Sequence, residues 1–316
     1  ENFEVHGYDR FLYQYISQEF QGEVDYDFKT LKTTSLDIEV ACENGFPNVH
    51  ECAEQLLAIT VQDQTTRKFK VFATRDYTPS RRDVEFIYCD DEKSLLRKFL
   101  SYWETEFPDV LTGWNVELYD VPYICGRIER LFGDREVKRM SPWGIVRQDE
   151  VEIKGRLNIR YDLLGINVLD YMDLYKKFTY TNQESYRLDH IANVELGKRK
   201  LDHSEYENFK DFYTKDWQKF IDYNIIDTEL VLQLEDKMKL IELAVALAYD
   251  AKVNFKDVYY QVRMWDTLIY NFLTDKNIVV PPAKRQEKDK KYAGAYVKQP
   301  IPGKYDWVVS FDLNSL

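Results

Sequence analysis

The chain has 316 residues, enough for one large domain or two to three small ones, with 44% apolar and 31% charged residues as in ordinary globular proteins. No run approaches the roughly 20 apolar residues of a membrane span, and the opening ENFEVHGYDR has no signal-peptide pattern, so no membrane partner is expected. A net charge of −12 argues against a simple nucleic-acid binder, except where clustered acids hold divalent cations and so do not repel the nucleic acid. In chain order, residues 1 to about 30 are polar, aromatic and weakly patterned. They read as the end of something that began earlier, in a chain without an initiator Met. Strand-like runs follow at Thr34–Val40, Leu57–Gln62 and Phe69–Ala73. Asp91–Phe107 has helical periodicity, with Leu95, Leu96, Phe99, Leu100 and Trp103 on one side. Asp109–Trp114 reads as a strand. Asp120 then opens a helix as its N-cap, with Pro122 in the first turn and Gly133 just past the end.

The next stretch, VRQDEVEIKGRLNIRYDLLG, reads as a hairpin with Lys154-Gly155 between its arms. Asp211 to about Tyr249 is expected as one long helical region. Asn277–Lys291 is Pro- and Lys-rich, a linker signal, and YDWVVSFDLNSL at the end reads as an apolar strand. There are no internal repeats. Strands followed by interleaved helices predict an α/β fold, a mixed sheet with helices packed on it.

In SLDIEV, Leu36, Ile38 and Val40 alternate with Ser35, Asp37 and Glu39, so two carboxylates project from one strand face. Acids are depleted in strands and repel each other at this range. Asp120 in TGWNVELYDVPY and Asp227 in YNIIDTE also lie beside apolar runs, and Tyr223 shares a helical face with Asp227 at i, i+4. Taken singly, each has an ordinary explanation: a solvated pair, a helix cap, a surface residue. As a set, carboxylates next to apolar sequence are costly unless neutralised. The four histidines (His6, His50, His190, His203) are isolated, and the four cysteines (Cys42, Cys52, Cys89, Cys125) form no CxxC pair. That pattern suggests no disulfide framework or zinc site and fits a reducing cytosol. Hard cations with oxygen ligands are the natural answer: two Mg²⁺ or Mn²⁺ ions, ~3.5–4 Å apart, clamping a phosphodiester. With an unperturbed pKa near 10, Tyr223 is a poor base and is expected to orient the attacking water.

SLDIEV, TGWNVELYDVPY and YNIIDTE together resemble the three exonuclease motifs of family B DNA polymerases. These belong to the tyrosine subclass of the DEDD 3′→5′ exonucleases. SPWGIV, LDYMDLYKKFTYTN and VSFDLNSL resemble the T-even-type tailed-phage branch. The resemblance runs from about residue 30 to the end. It implies an RNase H-like exonuclease core at 32–240, with 1–31 closing an N-terminal domain. Residues 241–282 would be a helical segment returning to that domain, and 283–316 a linker and the start of a polymerase palm. It implies a metal-dependent proofreading exonuclease in the cytoplasm of an infected bacterial host. Asp37, Glu39, Asp120 and Asp227 would be the metal carboxylates, and Tyr223 the tyrosine that orients water. Asn115 would position the strand terminus, the hairpin near Val151–Tyr161 would help pass the primer end, and YAGA (Tyr292, Gly294) would lie near template DNA. Asp312 would be the first polymerase carboxylate. Tyr119 stands where the family more often has Phe, and the second polymerase aspartate lies outside the 316 residues, so no DNA synthesis is expected from this chain alone.

The implied partners are the single-stranded 3′ end of a primer–template DNA, the rest of the polymerase, a sliding clamp and the replisome. Single strands bind through aromatic stacking and local positive charge. Lys176, Lys177 and Phe178 in YKKFTYTN are therefore candidates for a groove wall, as is the basic run Lys284–Lys291 for template phosphates. Alternatives are an RNA-directed enzyme of the same superfamily and a non-catalytic scaffold or RNA-binding part of a split polymerase.

Overall fold

The computed structural model describes residues 10–43, 45–153, 155–279, 298–309 and 311. The chain divides into two units. One is Arg10–Val280; the other is Glu1–Asp9 with Pro281–Leu316. In the second unit the described residues, 298–309 and 311, form no helix or strand. The strand expected over Tyr305–Leu316 is therefore not formed in its described part. Tyr292, Gly294, Asp312 and the run Lys284–Lys291 lie outside the described residues.

The large unit is built on a six-stranded sheet of order β4-β3-β2-β1-β5-β8. Its strands are β1 (Thr33–Val40), β2 (Leu56–Asp63), β3 (Phe69–Ala73), β4 (Val84–Tyr88), β5 (Val110–Thr112) and β8 (Asn167–Val168). β1 runs antiparallel to β2 and parallel to β5, so the sheet is mixed, as the sequence predicts. The separate hairpin is β6 (Val146–Ile153) with β7 (Arg156–Leu163); Gly155 at its turn takes φ +76°, which favours glycine.

The helices are α1 (Phe11–Glu19), α2 (Glu92–Thr105), α3 (Asp120–Phe132), α4 (Asp134–Val137), α5 (Tyr171–Phe178), α6 (Leu188–Leu196), α7 (Phe209–Lys215), α8 (Trp217–Met238), α9 (Leu240–Ala251) and α10 (Gln261–Asp275). α2 begins after its cap Asp91, whose carboxylate accepts from the Ser94 N–H. α1 is not apparent in the weak patterning of residues 1 to 30, whereas α9 and α10 fall in the 241–282 segment that the resemblance implies is helical.

The long helical region after Asp211 is three helices. Asp216 caps α8 by accepting from the Lys219 N–H at 3.0 Å. Lys239 takes a left-handed φ of +57°, and Glu235 receives the Ile241 N–H at 3.0 Å, which restarts the chain as α9. Apolar periodicity does not register such single-residue breaks.

Both faces of the sheet are covered. One core packs Leu36, Ile38 and Val40 with Leu96, Phe99 and Trp103 of α2 and Ile124 and Ile128 of α3. The other packs Ala58, Val71 and Phe69 with Phe212, Trp217 and Phe220 of α7 and α8. The polar face of β1 consequently meets α8 rather than water, and Ser35 and Glu39 are buried. Arg127 of α3 pairs with Glu92 of α2, both buried, and Glu92 also accepts from the Leu56 N–H at 2.8 Å.

Candidate active site

Three elements converge on the polar face of β1. Along the strand, Asp37 and Glu39 point to the same side; Glu39 is buried and Asp37 keeps a partly exposed edge. α8 crosses that face, presenting Tyr223, Asn224 and Asp227 from adjacent turns. Asn224 is fully buried: its amide donates to Asp37 Oδ2 at 2.5 Å, and its carbonyl oxygen accepts from the Thr60 hydroxyl of β2. α8 is thereby registered on the sheet through a polar chain that ends at the carboxylate.

The third element is the turn from β5 into α3. β5 pairs with β1 only from Thr33 to Ser35. Beyond that the β1 edge lacks a ladder partner, and the Ile38 N–H donates instead to Asp120 Oδ1 at 3.0 Å. Gly113 permits this close crossing, because a Cβ there would lie 2.5 Å from the Leu36 carbonyl oxygen. This geometry corrects the reading of Asp120 as an N-cap. Tyr119 occupies the cap position, and Asp120 is the first helical residue, its carboxylate engaged with the neighbouring strand.

Asp37, Glu39, Asp120, Tyr223 and Asp227 all line one cavity of about 710 Å³. Oxygens of Asp37, Glu39 and Asp227 lie within 4.8 Å of one another. Burial and mutual repulsion hold the whole group toward protonation. The Asp37 carboxyl is raised well above its usual range by burial and then by Asp120, Asp227 and Glu39. Glu39 is raised by burial and Asp227. Asp120 is pushed up by burial to about 7, against the Ile38 N–H that favours its anion. Asp227 is raised by burial, with Lys200 opposing.

Lys200 was not singled out in the sequence. Its ammonium pairs with Asp227 Oδ2 and donates to the Tyr223 hydroxyl at 3.1 Å. Burial alone would lower its pKa, but Asp227, Tyr223 and Asp37 outweigh burial and leave it raised. Burial, followed by the Asp227 charge, also raises the Tyr223 pKa, so Tyr223 remains a phenol. The Asp189 carboxylate fixes the Lys200 backbone N–H at 2.9 Å. Nothing in GKRKLDH distinguishes Lys200 from Lys198 and Arg199; only the fold does. Asn224 was equally unmarked, although it lies one residue after Tyr223 and three before Asp227.

The donor set suits a hard cation. Three carboxylate oxygens converge, the buried Asp227 Oδ1 has no hydrogen-bond partner, and a lysine ammonium already sits on the same carboxylate. The mouth carries aromatic rings. Phe46 is 84% exposed and 5.5 Å from the Tyr119 ring, and Trp114 is tethered by its indole N–H to the Tyr186 carbonyl at 3.0 Å.

The proposed nucleic-acid residues are placed differently. Asn115 has φ +67° and its backbone N–H is bonded to Asp170; the neighbouring Trp114, not Asn115, lines the carboxylate cavity. Lys176 and Lys177 line a second cavity of about 590 Å³, shared with Glu117, Arg160 and Lys256, and Phe178 is half-buried on the same helix.

Residues 8–191 match the family model for the DNA polymerase family B exonuclease domain. The chain belongs to family B of the DNA polymerases. It is 37% identical to the DNA-directed DNA polymerase of Escherichia phage RB69 and 32% identical to that of Enterobacteria phage T4, each over 99% of this chain. A putative DNA polymerase of Frog virus 3 is 25% identical over 97% of it. The chain spans 37% of the length of each of the two phage polymerases. Family and phage branch agree with the motif reading. The mixed sheet flanked by helices agrees with the RNase H-like exonuclease core. Among the described residues, no helix of this family B chain is long and apolar enough to cross a membrane.

Proposed function

We propose that the carboxylate cavity is a 3′→5′ exonuclease site that removes nucleotides from single-stranded DNA 3′ ends. The observation that carries this reading is the convergence of Asp37, Glu39 and Asp227 oxygens within 4.8 Å beside an unpartnered Asp227 oxygen. Asp37, Glu39, Asp120 and Asp227 would hold two divalent ions, Mg²⁺ or Mn²⁺. When bound, such ions acidify water and neutralise charge on the phosphate. Tyr223, whose hydroxyl oxygen accepts from Lys200, keeps its own proton to donate to the attacking water. Lys200 supplies a cation to Asp227, and exchanging it for a metal leaves that carboxylate compensated. Phe46 and Trp114 offer π-faces at the cavity mouth for terminal bases. Lys176, Lys177 and Phe178 would lie further along the strand's path, and Asn115 would position the terminus from the second motif.

The rest of the chain is read in the same frame. Residues 32–240 form the exonuclease domain, 1–31 and 241–282 belong with an N-terminal domain, and 283–316 lead to a palm. The ion pair Arg10–Asp266 and the Tyr13–Asp257 hydrogen bond support joining the first two segments. Val262, Trp265, Ile269 and Phe272, all more than half exposed, form the face of α10 offered to the remainder of the polymerase. A sliding clamp and replisome in the host cytoplasm complete the proposed setting.

The deciding experiment incubates the purified chain with Mg²⁺ or Mn²⁺ and 5′-labelled single strands, with matched DNA and RNA. Stepwise shortening of the DNA from its 3′ end is expected. Asp37→Ala should lose more than roughly a hundredfold, since even outer partners of metal ligands cost about 10–100-fold. Undiminished activity in that variant, or none in the parent chain with Mn²⁺, would overturn the reading. RNA hydrolysed in preference to DNA would replace the substrate.

A further inference from the structure

The turn that carries the chain from β5 into α3 is held from outside. Within it the Tyr119 N–H reaches the Asn115 carbonyl at 3.0 Å, and Asn115 is left-handed at φ +67°. Two of its amides point away from the turn. The Asn115 N–H donates to Asp170 Oδ1 at 3.2 Å and the Glu117 N–H to Asp170 Oδ2 at 3.0 Å. Asp170 comes 55 residues after Asn115, is 2% exposed, and also caps α5 through the Met172 N–H at 3.0 Å. Backbone bonds bring it there: Leu169 N–H to Leu111, and Tyr171 N–H to Gly113 at 2.9 Å. The Tyr259 hydroxyl donates to its carbonyl at 3.2 Å.

A helix cap needs one acceptor. Asp170 accepts three bonds, and two of them go to this turn. Neutral capping by Ser or Asn would serve α5 alone, whereas a buried carboxylate is costly without several donors. The turn ends at Asp120, whose carboxylate must reach the Ile38 N–H. Trp114 has its own tether to Tyr186, so displacement of the turn falls on Asp120.

We propose that Asp170 is a positioning residue of the carboxylate cavity: it pins the 115–117 turn so that Asp120 is held against β1. This rests on the reading of the cavity as a metal-dependent hydrolytic site.

Two variants separate pinning from capping. Asp170→Ser keeps an oxygen that can cap α5 but is too short to reach both turn amides. Asp170→Asn keeps the shape with one acceptor fewer. Mn²⁺ affinity, measured by calorimetry, should weaken about tenfold or more in both, the range of second-sphere losses. kcat on a single-stranded oligonucleotide should fall by a similar factor, with KM within about twofold. Asp91→Ala, which removes the cap of α2, should leave Mn²⁺ affinity unchanged. Wild-type affinity and kcat in Asp170→Ser overturn the role, as does an equal loss in Asp91→Ala. Should neither Asp170 variant fold, amide exchange in the parent chain decides. Protection of Asn115 and Glu117 comparable to the interior of α3 supports pinning, and exchange typical of a free turn overturns it. A parent chain that binds no Mn²⁺ overturns the metal reading and this role with it. Equal binding by parent and Asp170→Ser overturns this role alone.

Discussion

Lys200 and Asp227 make an unequal pair: the carboxylate is 4% exposed and the ammonium side chain 25%. Replacing Lys200 with Met keeps the stem and strands the buried acceptor, which costs about 1–3 kcal/mol. We expect urea unfolding in chelator to show that loss at pH 8 and progressively less of it toward acid, because burial raises the Asp227 pKa and favours its neutral form. Mn²⁺ should restore most of it. A loss indifferent to Mn²⁺ would mean that the ammonium does not occupy a cation's place. Asp120 carries a second test. Its pKa rises from an ordinary 3.8 to about 7 in the fold, mainly through burial. Between those values the folded metal-free chain binds more protons than the unfolded one, so stability is highest at the acidic end and falls as pH climbs through about 7. Thermal melts in chelator should show this slope, and Asp120→Asn should flatten part of it; an unchanged slope would assign it to other groups. The readability of these residues differed for a physical reason. Asp37 and Glu39 announced themselves because acids inside a strand are locally anomalous. Lys200 lies in an ordinary basic run and becomes a site residue only where the chain folds back on α8.

The joint between α2 and α3 is an element-scale matter. Arg127 bridges Glu92 and the carbonyls of Cys52 and Ala53, while Glu92 also holds the Leu56 N–H that begins β2. Removing one partner leaves an uncompensated buried charge. Arg127→Met should therefore destabilise the fold by about 3–5 kcal/mol, and Glu92→Gln added to it should recover part of the loss. Chemical denaturation of the single and double variants measures both; a double variant no better than the single would show that packing, not charge, holds the joint. Element types were largely legible from periodicity: β3 is Phe69–Ala73 as read, and α2 starts at the residue after Asp91. The exceptions follow one rule. Asp at a helix start ordinarily caps it, yet the Asp120 carboxylate is drawn to an N–H on β1, a partner 82 residues away. The breaks at Asp216 and Lys239 rest on one residue each, and an apolar pattern averages over them.

For the whole molecule, a cavity of charged or proton-shared carboxylates is a store of unfavourable energy that a cation relieves. Mn²⁺ at about 100 times its dissociation constant should stabilise the chain by about 2.7 kcal/mol. For a unit of this size that is a rise in Tm of roughly 4–6 °C. Because the ligands must lose protons to bind it, the apparent affinity should tighten from pH 6 to pH 8. Scanning calorimetry across Mn²⁺ and pH checks both; a Tm independent of Mn²⁺ at pH 8 would sink the metal assignment. The alternating strand with two misplaced acids, the order of the three motifs, the mixed α/β class and the family are all legible without a fold. These are local patterns, written at periods of two and 3.6 residues or in contiguous words. Folding alone places α8 over the polar face of β1, brings Lys200 into the cavity and Asn224 onto Asp37, engages one oxygen of Asp120 with the Ile38 N–H, and sets Lys176 and Lys177 along a different hollow. Each depends on contacts between residues tens to nearly two hundred positions apart, where burial rather than neighbouring sequence sets what a side chain does.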